Sequence, residues 1–303
     1  MIIGYIKKER KTKKVFKGIE IRSFDNNYII TVYQEDSNRI KKKLIKYIRK
    51  LNIEAIVFSK ELEGEFKNEI YNELEENIKI VNGKMLMEYM EFDILKYVLE
   101  KQQVNMKQED VYILFKRDPR LDLNSLKIFI ENFRMTNIVT NDIEKLRNVQ
   151  ENLLEKDNIL IAVSNNKKKA LKRAKYIINI NLTKEELEKY KINREAIIIN
   201  IKEDVKYDNP SFDGINVSYF KIDVPDEFIE KFEEIGENFD LEKMYESILL
   251  KEDMQKKKLE SVYERIKKDG VYVSGIIGNN GNISDKELLK IHKVNLDKMR
   301  KLV

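Results

Sequence analysis

Hydrophobic and polar positions along this chain alternate between two periods. Short runs of β-branched and aromatic residues read as buried strands. The longer stretches between them carry apolar residues every three or four positions, as amphipathic helices do. Tyr28-Ile-Ile-Thr-Val-Tyr33 predicts a strand. Ser37 or Asn38 then caps a helix to about Lys50, with Ile40, Leu44, Tyr47, Ile48 and Leu51 on one face. Ala55–Phe58 and Ile78–Val81 predict two more strands, around a helix at 65–75 that uses Phe66, Ile70 and Leu74. Asn82-Gly83 signals a turn, and a long helix follows from Met85 to Lys101. Strands joined through helices rather than tight hairpins predict parallel pairing.

Residues 102–109 are polar and read as a linker before a second alternating series. Val111–Phe115 predicts a strand, and Pro119 interrupts the loop after it. A helix is expected over Leu123–Met135, with Leu126, Phe129, Ile130 and Phe133 facing inward. Asn137–Val139 is a strand, Asp142 caps a helix over Ile143–Leu154, and Ile159–Val163 is a strand. A basic helix over Lys167–Lys175 leads to strands at Tyr176–Ile180 and Ala196–Ile201, with Leu182–Tyr190 helical between them. Such near-continuous apolar runs suit a parallel sheet covered on both faces. Beyond Pro225, helices are expected at Asp226–Ile235, Leu241–Leu250 and Lys256–Lys268. A glycine-rich strand and loop to Gly281 follow, and Ser284-Asp-Lys-Glu287 forms a capping box before the last helix. The expected fold is α/β with two parallel-sheet domains, 1–105 and 106–225. A mainly helical segment, 226–303, is expected to pack on both.

On these elements, residues 107–205 resemble the NAD(P)-binding Rossmann domain of two-domain dehydrogenases of the shikimate and methylenetetrahydrofolate dehydrogenase type. The resemblance makes Val111–Phe115 the first strand and Asp142 the counterpart of a ribose-binding carboxylate. It matches Ala174–Ile180 and Ala196–Ile201 to later strands. It also implies an N-terminal domain that supplies substrate residues and a terminal helix that packs back onto it. One feature departs from the family. From Gly83 to Gly214 there is no glycine, and the loop after the first strand reads Lys116-Arg-Asp-Pro-Arg-Leu-Asp122. A dinucleotide site uses glycine for its tight turn and for close backbone approach to pyrophosphate. Here side chains would crowd that approach, and Pro119 removes a donor N–H. NAD(P) is therefore not expected as a cofactor. Lys116, Arg117 and Arg120 remain as ionic contacts for some other anion, or as a solvated charged loop.

Composition narrows the rest. Charged residues make up 37% of the chain, with 58 Lys+Arg against 53 Asp+Glu, interspersed to a net +5. That balance does not favour a dedicated nucleic-acid binder, although the basic helices leave nucleic acid open as a partner; a second copy of the chain is open as a partner too. Cysteine is absent, so disulfides, thiolate metal sites and cysteine nucleophiles are excluded. The single histidine, His292, stands among apolar residues of the last helix and reads as structural, which removes zinc sites built on two histidines. The opening run Met1–Ile6 has no basic segment before it, and no apolar run approaches the ~20 residues of a membrane span. No membrane partner and a cytoplasmic location are expected.

Two further stretches carry candidate chemistry. Asn165, Asn166 and Lys167 open a helix after a strand, where they form either an anion site or a solvated face. Lysines in a first turn oppose the helix dipole, which makes the placement unusual. Gly278, Asn279, Asn280 and Gly281 form a loop whose spacing matches neither the Walker nor the dinucleotide pattern. Asn280-Gly281 most simply makes a tight turn. Carboxylates are plentiful, but they sit beside lysines on helix faces. No catalytic or metal residue is assignable. A non-catalytic binding or regulatory relative of the two-domain dehydrogenases is favoured. The alternatives are an enzyme acting on a nucleotide or phosphorylated metabolite in the interdomain cleft, and a nucleic-acid-associated protein.

Overall fold

The computed structural model describes residues 1–9, 18–33, 38–63, 73–74, 78–116, 123–157, 160–202, 205, 207, 209–236, 238–252 and 259–291. In chain order the strands are β1 (Ile3–Lys8), β2 (Ile19–Phe24), β3 (Asn27–Val32), β4 (Ala55–Phe58), β5 (Lys79–Val81), β6 (Asp110–Leu114) and β7 (Met135–Val139). They continue with β8 (Ala162–Ser164), β9 (Tyr176–Asn179), β10 (Ile197–Asn200), β11 (Ile215–Asp223), β12 (Tyr272–Gly278) and β13 (Gly281–Asn282). The helices are α1 (Asn38–Lys50), α2 (Lys84–Tyr89), α3 (Glu91–Lys101), α4 (Leu123–Asn132) and α5 (Ile143–Asp157). After them come α6 (Lys167–Arg173), α7 (Lys184–Leu187), α8 (Asp226–Glu233), α9 (Leu241–Lys251) and α10 (Leu259–Lys268). The fold is α/β, with two mainly parallel sheets. It divides into one compact unit of Met1–Leu86 with Val224–Lys258, and another of Met87–Asp223 with Leu259–Val303.

The sheet of the first unit has the order β2-β3-β1-β4-β5. Its neighbours pair in parallel except β2, which forms an antiparallel hairpin with β3. That hairpin corrects the expectation that helices alone join the strands. Its two-residue turn holds Asp25 at φ 43° and Asn26 at φ 60°. Asp and Asn tolerate the positive φ that such a turn requires at both positions. On one face α1 packs Ile40, Leu44, Ile45 and Ile48 against Ile6, Ile30, Ile56 and Phe58. Ile40, Leu44 and Ile48 belong to the apolar stripe that the sequence spacing predicts, Ile45 adds to it, and Tyr47 and Leu51 lie at its margin. On the other face the Tyr5 hydroxyl meets Ser247 Oγ of α9 at 3.0 Å.

The sheet of the second unit runs β13-β12-β11-β10-β9-β6-β7-β8. Neighbours from β8 to β11 pair in parallel, and β12 closes onto β11 antiparallel. Counted from β6, the parallel strands stand in the order 3-2-1-4-5-6, that of the dinucleotide-binding fold. The order reverses between β6 and β9, so the crevice beyond their carboxyl ends is where such a fold takes a ligand. Leu114, Val139, Leu171, Ile177 and Ile198 form the core of one face.

Several elements depart from the pattern read in the sequence. The expected helix 85–101 is two helices, broken at Met90, whose φ of −104° and ψ of 13° are not helical. The helix expected over Leu182–Tyr190 narrows to α7, four residues long. In the polar stretch 102–109, Gln102 is buried, accepts the Tyr176 hydroxyl at 3.0 Å and donates to the Leu288 carbonyl at 2.9 Å. The segment 226–303 contributes β12 and β13 to the second sheet as well as helices. Among the described residues, no helix is long and apolar enough to cross a membrane.

Candidate functional site

Five of the residues singled out in the sequence stand on one edge, where β6, β7, β8 and β9 end. Lys116, just past β6, is held at three points. Its N–H donates to Asn181 Oδ1 at 2.9 Å, and its carbonyl accepts the Thr140 hydroxyl at 3.2 Å. Its ammonium pairs with Glu186 Oε2 at 2.6 Å, so an ion pair spans the mouth of the β6–β9 crevice. Burial pushes the Glu186 carboxyl up, but hydrogen bonds from Lys116 and the Thr183 N–H, with the charges of Lys116 and Lys189, outweigh it and hold the group below its ordinary value. Asp142 stands ahead of α5, and its N–H donates to Thr140 Oγ1 at 3.1 Å. Arg117, Pro119 and Arg120 lie outside the described residues.

Lys167 corrects the reading of a solvated face. It is 6% exposed, and its ammonium donates to Asn141 Oδ1. Burial pulls the Lys167 ammonium below its ordinary value, with the negative charge of Glu186 opposing. Asn166 caps α6, its Oδ1 accepting the Lys169 N–H at 3.0 Å, while Asn165 is exposed. The edge therefore brings Lys116, Asp142, Asn165, Asn166 and Lys167 together, through Thr140, Asn141, Asn181 and Glu186, of which no motif in the sequence marks the first three. One signal for Glu186 was present. Thr183 and Glu186 have capping-box spacing, and the Thr183 N–H donates to Glu186 Oε2 at 3.0 Å. Among the described residues no group of three His, Asp or Glu could hold a metal ion.

The second candidate region lies at the start of β11. Gly278, Asn279, Asn280 and Gly281 make the β12–β13 turn, with Gly278 opposite Gly281 and Gly281 at φ +108°. The loop lines a cavity of about 270 Å³ together with Tyr207, Phe212, Asn216 and Glu287. A neighbouring cavity of about 520 Å³ shares Gly214, Ile215 and Glu287 with it. The capping box expected at Ser284 is formed. Glu287 Oε2 accepts the Ser284 N–H and hydroxyl, both at 2.7 Å. These bonds hold the Glu287 carboxyl below its ordinary value. His292 lies outside the described residues.

No protein-family model matches the chain, and no curated protein matches it. Among solved structures, L-tryptophan dehydrogenase from Nostoc punctiforme is similar at 8% identity and a TM-score of 0.35, over 99% of this chain and 89% of its own. Ornithine carbamoyltransferase from Pyrococcus furiosus shares 12% identity at a TM-score of 0.29, over 82% of this chain and 83% of its own. A chorismate mutase/shikimate 5-dehydrogenase fusion protein from Clostridium acetobutylicum shares 14% at a TM-score of 0.24, over 99% and 98%. The fold assignment rests on the strand order, not on these distant likenesses.

Proposed function

We propose that this chain is a non-catalytic binding or regulatory protein on a Rossmann scaffold, related to the two-domain dehydrogenases and working without a dinucleotide. One observation carries the reading. The Lys116–Glu186 pair spans the crevice mouth at 2.6 Å, and the Lys116 N–H is spent on Asn181. In a dinucleotide site the backbone at this turn faces the pyrophosphate, and nearby negative charge is kept away from it. Here the Lys116 N–H is taken by Asn181, and the Glu186 carboxylate stands beside it. Thermal unfolding with NAD or NADP tests it. At about 1 mM ligand, a site with a Kd near 10 µM would stabilise by about 2.7 kcal/mol. No shift in Tm is expected, and a shift of that size with either dinucleotide would overturn the reading.

A second reading keeps the same edge but gives it a phosphorylated small molecule. Lys167 favours it, because a buried ammonium beside the ends of β7 and β8 is costly to maintain without a use. Inorganic phosphate in the same assay separates the two. Stabilisation that Lys167→Met abolishes would support the second reading, and no effect the first.

A further inference from the structure

Four asparagines form one relay across the second sheet, and its direction is forced. The backbone N–H of Leu182 donates to Asn179 Oδ1 at 2.9 Å. An N–H can only donate, so the Asn179 oxygen is fixed there and its Nδ2 turns toward Asn200. Asn179 Nδ2 donates to Asn200 Oδ1 at 2.9 Å, and Asn200 Nδ2 donates to Asn216 Oδ1 at 2.6 Å. Asn216 Nδ2 then donates to Asn279 Oδ1 at 3.0 Å and spends its other N–H on the Val205 carbonyl. Asn179, Asn200 and Asn216 are 1%, 0% and 6% exposed. Buried amides are tolerated only when satisfied, and these three are. Asn279 is the open end. Its Oδ1 is taken, and its Nδ2 makes no hydrogen bond to protein among the described residues. Amides that donate in sequence polarise one another, which strengthens the last N–H as a donor.

That N–H belongs to a residue lining the 270 Å³ cavity. Asn280, Asn282 and Glu287 also line it. Tyr207 and Phe212, edge to face at 5.0 Å, supply an aromatic wall. Among the described residues no Lys or Arg does. None of the described residues that line it is a cation, and with Glu287 ionised that lining opposes an anion. Amides and a carboxylate suit hydroxyl groups, which both donate and accept, while an aromatic wall covers a C–H face. The volume lies just below the range of roughly 300–1,000 Å³ for pockets that hold drug-sized ligands, which suits a single sugar ring.

We propose that this cavity binds a neutral, hydroxyl-rich small molecule, an unphosphorylated monosaccharide or cyclic polyol. Asn279 Nδ2 donates to one ligand hydroxyl, and Glu287 accepts from another. The cavity is lined from the start of β11, while the crevice of the functional reading lies past the ends of β6 and β9, so phosphate reads the crevice and a neutral ligand reads the cavity, and the two proposals fail separately.

The test is calorimetric titration of the full chain with D-glucose, D-ribose and myo-inositol and with their phosphate esters, alongside side-chain amide NMR. At least one neutral compound is expected to bind and to shift the Asn279 Nδ2 resonance. Its phosphate ester should bind at least about tenfold more weakly, because the added charge meets the Glu287 carboxylate and no cation among the described lining residues. Asn279→Asp, which places an acceptor where the donor stood, should lose at least about tenfold in affinity. The proposal is overturned if a phosphate ester binds as tightly as its parent compound, or if no neutral compound binds by about 10 mM. It also fails if the Asn279 resonance stays fixed at saturation. The resonance is read on the native chain, so the result does not depend on the variant folding.

Discussion

Glu246, 1% exposed on α9, accepts the Leu86 N–H on Oε2 at 2.9 Å, so a carboxylate shut off from water holds the first turn of α2. Burial pushes this carboxyl up. The Leu86 N–H, the charge of Lys79 and the N–H groups of Gly83 and Asn82 pull against that, and burial wins. With the folded value above the unfolded 4.5, proton uptake favours the folded chain. The group's stabilising contribution is full below pH 4.5 and is lost as pH rises through the folded value. Glu246→Gln keeps an acceptor for Leu86 without a charge to desolvate. Its Tm should exceed the native Tm at about pH 8, and the difference should close toward acid. Glu246→Ala, which strands a buried N–H, should cost about 2 kcal/mol in urea unfolding. A Gln variant weaker than native by the same amount at every pH would contradict this account.

The glycines of the second region separate by what surrounds them. A Cβ on Gly214 would stand 2.1 Å from the Ala196 carbonyl oxygen and 2.6 Å from the Phe212 ring. The carbonyl belongs to the backbone entering β10, so the sheet itself must give way. Gly214→Ala should cost about 3 kcal/mol, the upper end for overpacking. A Cβ on Gly281 meets nothing within 4 Å, so only its positive φ opposes substitution. Gly281→Ala should cost about 1 kcal/mol. Equal losses in denaturant midpoint for the two variants would refute the distinction.

Lys167 should behave as a burial cost, not as a source of stability. Its folded value lies below the ordinary 10.5 because burial disfavours the ammonium. The cost is therefore full at low pH and is relieved as pH rises from the folded value toward 10.5. Asn141, the partner of its ammonium, is exposed and finds water if the lysine is removed. Lys167→Met should be within about 1 kcal/mol of native at neutral pH, or more stable, with any gain vanishing in alkali. A loss of several kcal/mol in thermal unfolding would mean that the hydrogen bond to Asn141 outweighs the burial.

Periodicity made most elements legible and left pairing obscure. The stripe of α1 and the apolar runs of β6, β9 and β10 state their burial in their own residues. β11 was not read, because Ile215-Asn-Val-Ser-Tyr-Phe-Lys-Ile-Asp223 mixes polar residues into a strand that pairs with β10 on one side and β12 on the other. The β2–β3 hairpin was hidden for a related reason. Its turn is Asp25-Asn26, without the glycine that usually marks one. Candidate residues could be singled out where their own chemistry stood out, as with Lys116, Asn166 and the 278–281 loop. Asn179, Asn200 and Asn216 could not be found that way. A buried asparagine in a chain rich in asparagine has no local signal, and only strand register brings Asn179 beside Asn200.

Asp93 and Lys267 make a pair whose worth a double-mutant cycle can measure. Asp93 Oδ1 accepts Lys267 Nζ at 2.5 Å and the Tyr263 hydroxyl at 3.3 Å, while Oδ2 is buried without a partner among the described residues. Burial, then the charge and hydrogen bond of Asp93, push the Tyr263 hydroxyl above its ordinary value. Lys267→Met leaves the carboxylate in the same enclosure with only a phenol to answer it. The expected loss is about 2 kcal/mol, reduced because the Lys267 end of the pair is half-exposed. Asp93→Leu removes the stranded charge, so in that background Lys267→Met should cost almost nothing. The coupling between the two substitutions should therefore exceed about 1 kcal/mol in urea unfolding. Additive losses would show that the pair, though close, contributes no more than an exposed ion pair does.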